Sequence, residues 1–213
     1  MTPKATVAPV GSPAHYFDRS PRTPSRPGEV RLDLPDRSFT LRTDRGVFSV
    51  DRVDPGTKYL LVEAPPPPQE GHLVDLGCGY GPIALTLAAR APGATVWAVD
   101  VNERARELTR HNAAAAGLGN VVVARPDEVP DAVRFDALWS NPPIRVGKAA
   151  LHGLLVGWLD RLTGEGRGLL VVQRNLGADS LHRWLAGQGW RVDRRGSRSG
   201  YRLLEVGPRG TGT

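Results

Sequence analysis

Hydrophobic spacing changes character along the chain. From Val30 to Val50 apolar and polar residues alternate in short pieces, VRLDLP, SFTLRT and GVFSV, separated by Asp36-Arg37 and Asp44-Arg45-Gly46. A period of two over so few residues predicts a small antiparallel hairpin or three-strand ribbon. Asp54-Pro55 then caps a short helix, PGTKYLLVEA, which Pro65 to Pro68 end and prolong as a stiff connector. Beyond His72, apolar runs at 73–76, 95–100, 120–125, 135–140 and 168–173 alternate with helical stretches. Those helices start at Pro82, at the Asn102 cap, near Lys148 and near Ala178. The runs WRVDRR and YRLLEV flank Ser-Arg-Ser-Gly and read as a terminal antiparallel hairpin. Strands alternating with helices imply an α/β fold: a doubly wound, mostly parallel, seven-stranded Rossmann-like sheet with an N-terminal β-ribbon extension. The expected divisions are a disordered tail over 1–28 with Tyr16 and Phe17 as its candidate anchor, the ribbon and short helix over 29–68, the main domain over 69–207, and a tail over 208–213.

The stretch HLVDLGCGYGPIALTLAAR, from His72 to Arg90, organises the rest. An apolar strand breaks into Gly77, Gly79 and Gly81 and then into a helix opened by Pro82, which has no N–H to lose at that position. Glycines admit a ligand to the backbone, and a helix start offers unpaired N–H groups. A dinucleotide fingerprint is G-x-G-x-x-G, whereas here the glycines run G-x-G-x-G and Pro82 takes the place of the third. Asp75, just before the turn, would repel a pyrophosphate and attract an ammonium and a sulfonium. Both features point away from NAD and toward S-adenosylmethionine (SAM).

In such sheets ligands sit at the carboxyl ends of strands. Asp75, Gly77, Cys78, Gly79 and Gly81 end the first strand; Asp100, with Val101 beside it, ends the second, placed to accept from both ribose hydroxyls. The third runs into Arg125-Pro126-Asp127, where Asp127 is a candidate acceptor for the adenine amino group. The fourth ends in Asn141-Pro142-Pro143. Two successive prolines fix the Pro142 carbonyl with no N–H from Pro143 beside it, so that carbonyl and the Asn141 side-chain oxygen can take both hydrogens of one planar amino group. Such an amine is a poor nucleophile until its lone pair is turned toward the methyl donor. An aspartate at 141 would keep the acceptor oxygen and is expected to retain part of the activity, unless the amide N–H₂ is what holds the loop. Asn141, Pro142 and Pro143 are the candidate catalytic group, with Asn141 also beside the cofactor. Ile144, Arg145 and Lys148, just beyond, are candidates for gripping a nucleic-acid acceptor.

Composition narrows the classes. Net charge is +6 with a pI near 10.1, and the excess lies at the C-terminal end, six basic against two acidic residues over 191–213. Arg194, Arg195 and Arg198 are candidate phosphate contacts. Against that, 25 of 28 basic residues are arginine, which also fits a GC-rich coding bias. The single cysteine, Cys78, leaves neither a disulfide frame nor a cysteine metal site, and fits a reducing cytoplasm. The five histidines show no ligand spacing, so no metal is expected, and the chain has no apolar run long enough for a membrane span.

The segments VDLGCGYGPIALTLA, DVNERA and SNPPIRVGK, with GVFS at 46–49 and GTKYLL in the first helix, resemble the small-methyltransferase-domain proteins related to bacterial ribosomal RNA guanine-N2 methyltransferases. The likeness runs from about His15 to Val206. It implies a class I SAM-dependent fold, cofactor contacts at Asp75, Gly77, Gly79, Asp100 and Asp127, and acceptor-amine contacts at Asn141 and Pro142. Many relatives carry Tyr or Phe after the two prolines, where this chain has Ile144, as does a short single-domain branch. Three functions remain open on the sequence: methyl transfer to guanine N2 of ribosomal RNA or the small ribosomal subunit, methyl transfer to a protein glutamine amide or small metabolite, and SAM-dependent RNA association without turnover.

Overall fold

The structure, a computed structural model, describes residues 23–210. Residues 1–22 of the expected N-terminal tail, with Tyr16 and Phe17, and residues 211–213 lie outside the described residues. The N-terminal ribbon has two strands, β1 (Gly28–Asp33) and β2 (Ser38–Thr43), paired antiparallel from Gly28 opposite Thr43 to Asp33 opposite Ser38. No third strand forms from GVFSV. Gly46 and Ser49 have φ of 85° and 59°, which breaks the extended path there. Residues 23–27, expected as tail, are tied down where Ser25 Oγ and the Arg26 N–H donate to Asp44.

Helix α1 (Pro55–Glu63) begins as expected, with Asp54 accepting from the Thr57 N–H at 3.0 Å and Pro55 in the first turn. A cap of this kind contributes about 1 kcal/mol. The main sheet then takes β3 (His72–Leu76), α2 (Pro82–Arg90), β4 (Thr95–Val99), α3 (Glu103–Ala115), β5 (Val121–Ala124), β6 (Phe135–Ser140), α4 (Lys148–Leu159), β7 (Leu162–Gln173), α5 (Ala178–Gly187), β8 (Trp190–Arg198) and β9 (Tyr201–Arg209). In space the seven strands run β5, β4, β3, β6, β7, β9, β8; the first five are parallel and β9 is antiparallel to both its neighbours.

Alternation along the strands sends Leu73, Val96, Ala98, Ala137 and Trp139 to one face, under the ribbon, α1 and α2. Val74, Leu76, Val99, Leu138 and Leu170 face α4 and α5. Two elements outrun the sequence pattern. The strand expected over 168–173 starts at Leu162, with a register shift against β6 that the polar segment TGEGR conceals. The strand β9 continues through Arg209, so residues 208–209 belong to the sheet rather than to a tail. The hairpin between β8 and β9 turns on Ser199 and Gly200, both at positive φ, the backbone that a two-residue turn between twisted strands requires. No helix among the described residues is long and apolar enough to cross a membrane.

Candidate active site

The chain leaves β3 toward β4 on one side and returns to β6 on the other, so the carboxyl ends of β3 and β6 part at a topological switch point. A cleft of about 720 Å³ opens there. Its wall comes from the glycine turn after β3, from Asp100 and Asn102 after β4, from Asn141 to Ile144 after β6, and from Gln173 at the end of β7 with Leu176 beyond it. Residues 46–49, Asp54, Thr57 and Tyr201 close it from the N-terminal unit and the last strand.

The glycine turn is held in shape by its neighbours. Gly77 and Cys78 donate their N–H groups to the Val99 carbonyl at 2.8 and 3.0 Å, and Gly79 donates to Asp100 Oδ2 at 3.0 Å. Buried Asn112 of α3 donates to the Tyr80 carbonyl at 2.8 Å and pairs with the Arg42 backbone in both directions, fixing the ribbon against the turn. Gly79 lines the cleft at φ 58°. Gly81 serves packing instead, since a Cβ there would stand 2.8 Å from Leu85 Cδ1. Cys78 lines the cleft with a thiol that burial pushes well up, an inert small side chain and not a nucleophile.

Asp100 reaches the cleft although it is 9% exposed. Its Oδ1 accepts from the Asn102 N–H at 2.9 Å and its Oδ2 from Gly79, which leaves a carboxylate with spare lone pairs for two hydroxyls. Burial raises its pKa, and the donated N–H groups and the buried Arg106 guanidinium oppose the rise. Arg106 donates to the carbonyls of Asp100 and Val101, both at 2.9 Å, so Val101 shapes the turn from outside the cleft lining. Nothing in the sequence pattern marks Arg106, a helix residue that happens to face the end of β4.

The other expected sites divide. Asp75 does not line the cleft: it is fully buried, with Oδ2 accepting from the Ala84 N–H of α2 at 2.9 Å. Its Oδ1 is buried with no partner, and burial raises its pKa well above the usual carboxylate range. An orphaned carboxylate oxygen calls either for a proton or for a donor from outside the chain. Asp127 stands on the exposed turn Pro126–Glu128, ion-paired with Arg125 at 2.6 Å, and does not line the cleft.

Asn141 sits in the cleft wall where β6 ends. Its Nδ2 donates to Asp54 Oδ1 at 2.8 Å and to Thr57 Oγ1 at 3.0 Å, so both amide hydrogens are used and Oδ1 remains as an acceptor. Tyr201 stands beside Asp54 as well, and burial ahead of the Asp54 charge raises the tyrosine pKa. The Pro142 carbonyl is not unoccupied, as the sequence suggests: Pro143, at φ −75° and ψ 76°, centres a tight turn that brings the Ile144 N–H to it at 2.8 Å. One lone pair of that carbonyl remains. Ile144 and Val146 line the cleft, with Arg145 between them in the turn Ile144–Val146; Lys148 begins α4, exposed and outside the lining.

The terminal arginines lie on β8, away from the cleft lining. Arg194 is exposed, Arg195 pairs with Glu205, and Arg198 lies 3.6 Å from Glu63. Among the described residues no group of three or more His, Cys, Asp or Glu could hold a metal.

With this geometry in view, the match of the methyltransferase small domain model to residues 38–204 is decisive. The chain belongs to the methyltransferase small domain family. Within that family it is 37% identical over 169 residues to the uncharacterized protein YbxB of Bacillus subtilis, covering 78% of this chain and 84% of YbxB. It is 32% identical over 150 residues to the ribosomal RNA small subunit methyltransferase C of Shewanella halifaxensis, covering 68% of this chain but 43% of that protein. Among solved structures, a T. thermophilus 16S rRNA N2 methyltransferase (RsmC), in complex with AdoMet and guanosine, superposes with a TM-score of 0.73 at 25% identity, over 87% of this chain and 52% of that one. The chain thus spans YbxB nearly whole and about half, or less, of the ribosomal RNA relatives named here.

Proposed function

We propose that this small methyltransferase domain moves a methyl group from SAM to the exocyclic N2 amine of guanine in ribosomal RNA. The SAM dependence and the kinship with ribosomal RNA small subunit methyltransferase C rest on the family and on the AdoMet-bound neighbour. When bound, SAM supplies an electrophilic methyl carried on a sulfonium. Asp100 accepts from the ribose hydroxyls, and the glycine turn gives close backbone approach. Asn141 Oδ1 and the remaining lone pair of the Pro142 carbonyl accept the two hydrogens of the acceptor amine. That would turn the nitrogen lone pair out of conjugation and toward the methyl that SAM would supply, with the sulfonium leaving as a neutral thioether and the amine proton passing to solvent. The observation that carries the reading is the orientation of Asn141, whose amide nitrogen is spent on Asp54 and Thr57.

A nucleobase is favoured over a glutamine amide by the cleft rim. Of the large hydrophobic side chains exposed among the described residues, Phe48 (65%) and Leu176 (41%) both line this cleft, along with Ile144 and Val146. A flat ring covers such a rim; a primary amide does not. Phe48 also supplies an aromatic face that Ile144 lacks, and stacking of a base on one is worth roughly 1–3 kcal/mol. Isotopically labelled SAM, offered to small ribosomal subunits, naked 16S rRNA and release factors and followed by nucleoside digestion, tests the reading. Label in N2-methylguanosine is expected; label recovered only in protein would overturn it.

A further inference from the structure

We propose that Asp54 is a positioning residue for the transfer, and that its carboxylate fixes which end of the Asn141 amide faces the acceptor amine. The inference rests on the role given to Asn141 above. A side-chain amide has two orientations of nearly the same shape and opposite chemistry. With Oδ1 toward the acceptor, Asn141 accepts an amine hydrogen; with Nδ2 there, two donors would face each other. Thr57 Oγ1, 3.0 Å from Asn141 Nδ2, does not choose between them, because a hydroxyl can donate or accept. An ionised carboxylate only accepts, so Asp54 Oδ1, at 2.8 Å, admits Nδ2 and refuses Oδ1.

Asp54 is itself held where α1 meets β9. The same Oδ1 takes the Thr57 N–H at 3.0 Å and caps α1. Tyr201, at the start of β9, stands beside its carboxylate, and both its ring and Asp54 Oδ1 face Gly56. The Tyr201 ring lies over Gly56, where a Cβ would be only 2.5 Å from Cε1, so α1 and β9 meet with no slack. With 9% of its surface exposed, Asp54 holds this arrangement where water competes little. The N-terminal unit is on this account part of the catalytic geometry and not an appendage to it.

Two replacements in the full chain separate positioning from helix capping. Serine caps as well as aspartate, but its Oγ stops a bond short of Oδ1. Asparagine caps and offers an Oδ1 to both the Thr57 N–H and Asn141. Asp54→Ser is expected to lower kcat on the RNA acceptor roughly 100-fold, the low end of what one preorganised contact is worth, with melting temperature and SAM affinity retained. Asp54→Asn should keep most of the rate. Wild-type turnover in Asp54→Ser, or equal losses in both variants, would overturn the proposal. A second readout needs no acceptor: the ¹⁵N-labelled side-chain amide pair of Asn141, assigned by its loss in Asn141→Ala, should shift and exchange faster with water in Asp54→Ser and stay put in Asp54→Asn. A response of that pair in a protein that methylates no RNA would sink the guanine reading and leave the positioning role standing. A pair indifferent to Asp54→Ser sinks the positioning role whatever the acceptor.

Discussion

Gly79 donates its backbone N–H to Asp100 Oδ2 at 3.0 Å, which locks the turn after β3 to the end of β4. The carboxylate proposed to accept from the ribose therefore also holds the glycine turn proposed to carry the cofactor. Asp100→Ala is expected to weaken SAM binding by about 2–4 kcal/mol, through two lost charge-assisted bonds and a looser turn. Asp100→Asn should be nearly as damaging. Its amide nitrogen must meet either the Gly79 or the Asn102 N–H, and both are donors. Calorimetry giving wild-type affinity for both variants would reduce Asp100 to a turn former. NADH should show no heat with any of these proteins.

Asn141→Asp is the substitution on which sequence and structure part. With the loop alone in mind, an aspartate keeps the acceptor oxygen and should retain some turnover. In the structure its second oxygen would replace Nδ2 at 2.8 Å from Asp54 Oδ1, setting two carboxylates against each other. At neutral pH this variant should be as slow as Asn141→Ala, with both roughly two to four orders of magnitude below wild type and SAM affinity little changed. Lowering the pH lets the carboxyl pair share a proton, and a protonated Asp at 141 can again donate to Asp54. Turnover of the aspartate variant should thus rise relative to the alanine variant as the pH falls. A constant ratio of the two rates across pH would count against the contact.

What could be read in advance follows from how far apart in sequence the partners lie. The glycine turn, the Asp54 and Asn102 caps and the Asn-Pro-Pro turn are local, set by residues within a few positions of one another, and all appear where their spacing puts them. The Asp54–Asn141 contact bridges 87 positions, and no periodicity reports it. One local hint existed: Gly56 inside the first turn of α1 is a poor helix former, and the Tyr201 ring explains it. Gln173, a polar end to an apolar strand, was a second hint of a cleft residue. Asp75 is harder to read, for a different reason. A carboxylate beside a glycine turn reads as a ligand group, while the register of β3 buries it against α2. The segment at 46–50 alternates like a strand, yet its positive-φ residues leave Phe48 at the cleft rim.

The arginines of β8 give an ionic-strength prediction. Neutralising Arg194, Arg195 and Arg198 together should weaken RNA binding and flatten its log–log salt dependence by up to about 3 units, near 0.9 per phosphate contact. The pairs of Arg195 with Glu205 and Arg198 with Glu63 do not forbid this, since exposed pairs are worth only about 0–1 kcal/mol and can exchange for phosphate. None of the three lines the cleft, so SAM affinity should stay constant. A salt slope identical to wild type would leave these arginines as a mark of codon usage.

The last prediction comes from the buried carboxyl of Asp75. Its pKa is raised well above the usual range chiefly by burial, against the single N–H of Ala84 and with the charge of Asp100 adding to the rise. The sign follows from proton counting. Below the unfolded pKa, near 3.9, both states hold the proton and Asp75 contributes nothing to the pH dependence. As pH climbs from there through the raised folded pKa, the unfolded chain has released its proton while the native one still holds it, so stability falls across that window. Above it the penalty is constant. Asp75→Asn keeps an oxygen for the Ala84 N–H and cannot ionise. It should melt at nearly the wild-type temperature near pH 4 and above it at pH 8, by roughly 2–4 °C for each kcal/mol of relieved penalty in a domain of this size. The comparison belongs to the protein without SAM. With SAM present, an ammonium that reached the unpartnered Oδ1 would favour the ionised form and reverse the order, since wild type would then gain more from the ligand than Asp75→Asn does. Melting curves for the two proteins at pH 4, 6 and 8, each with and without SAM, measure both effects. A gap between them that does not grow with pH in the absence of SAM would mean that Asp75 ionises in the folded chain as freely as in the unfolded one, and that its burial costs nothing.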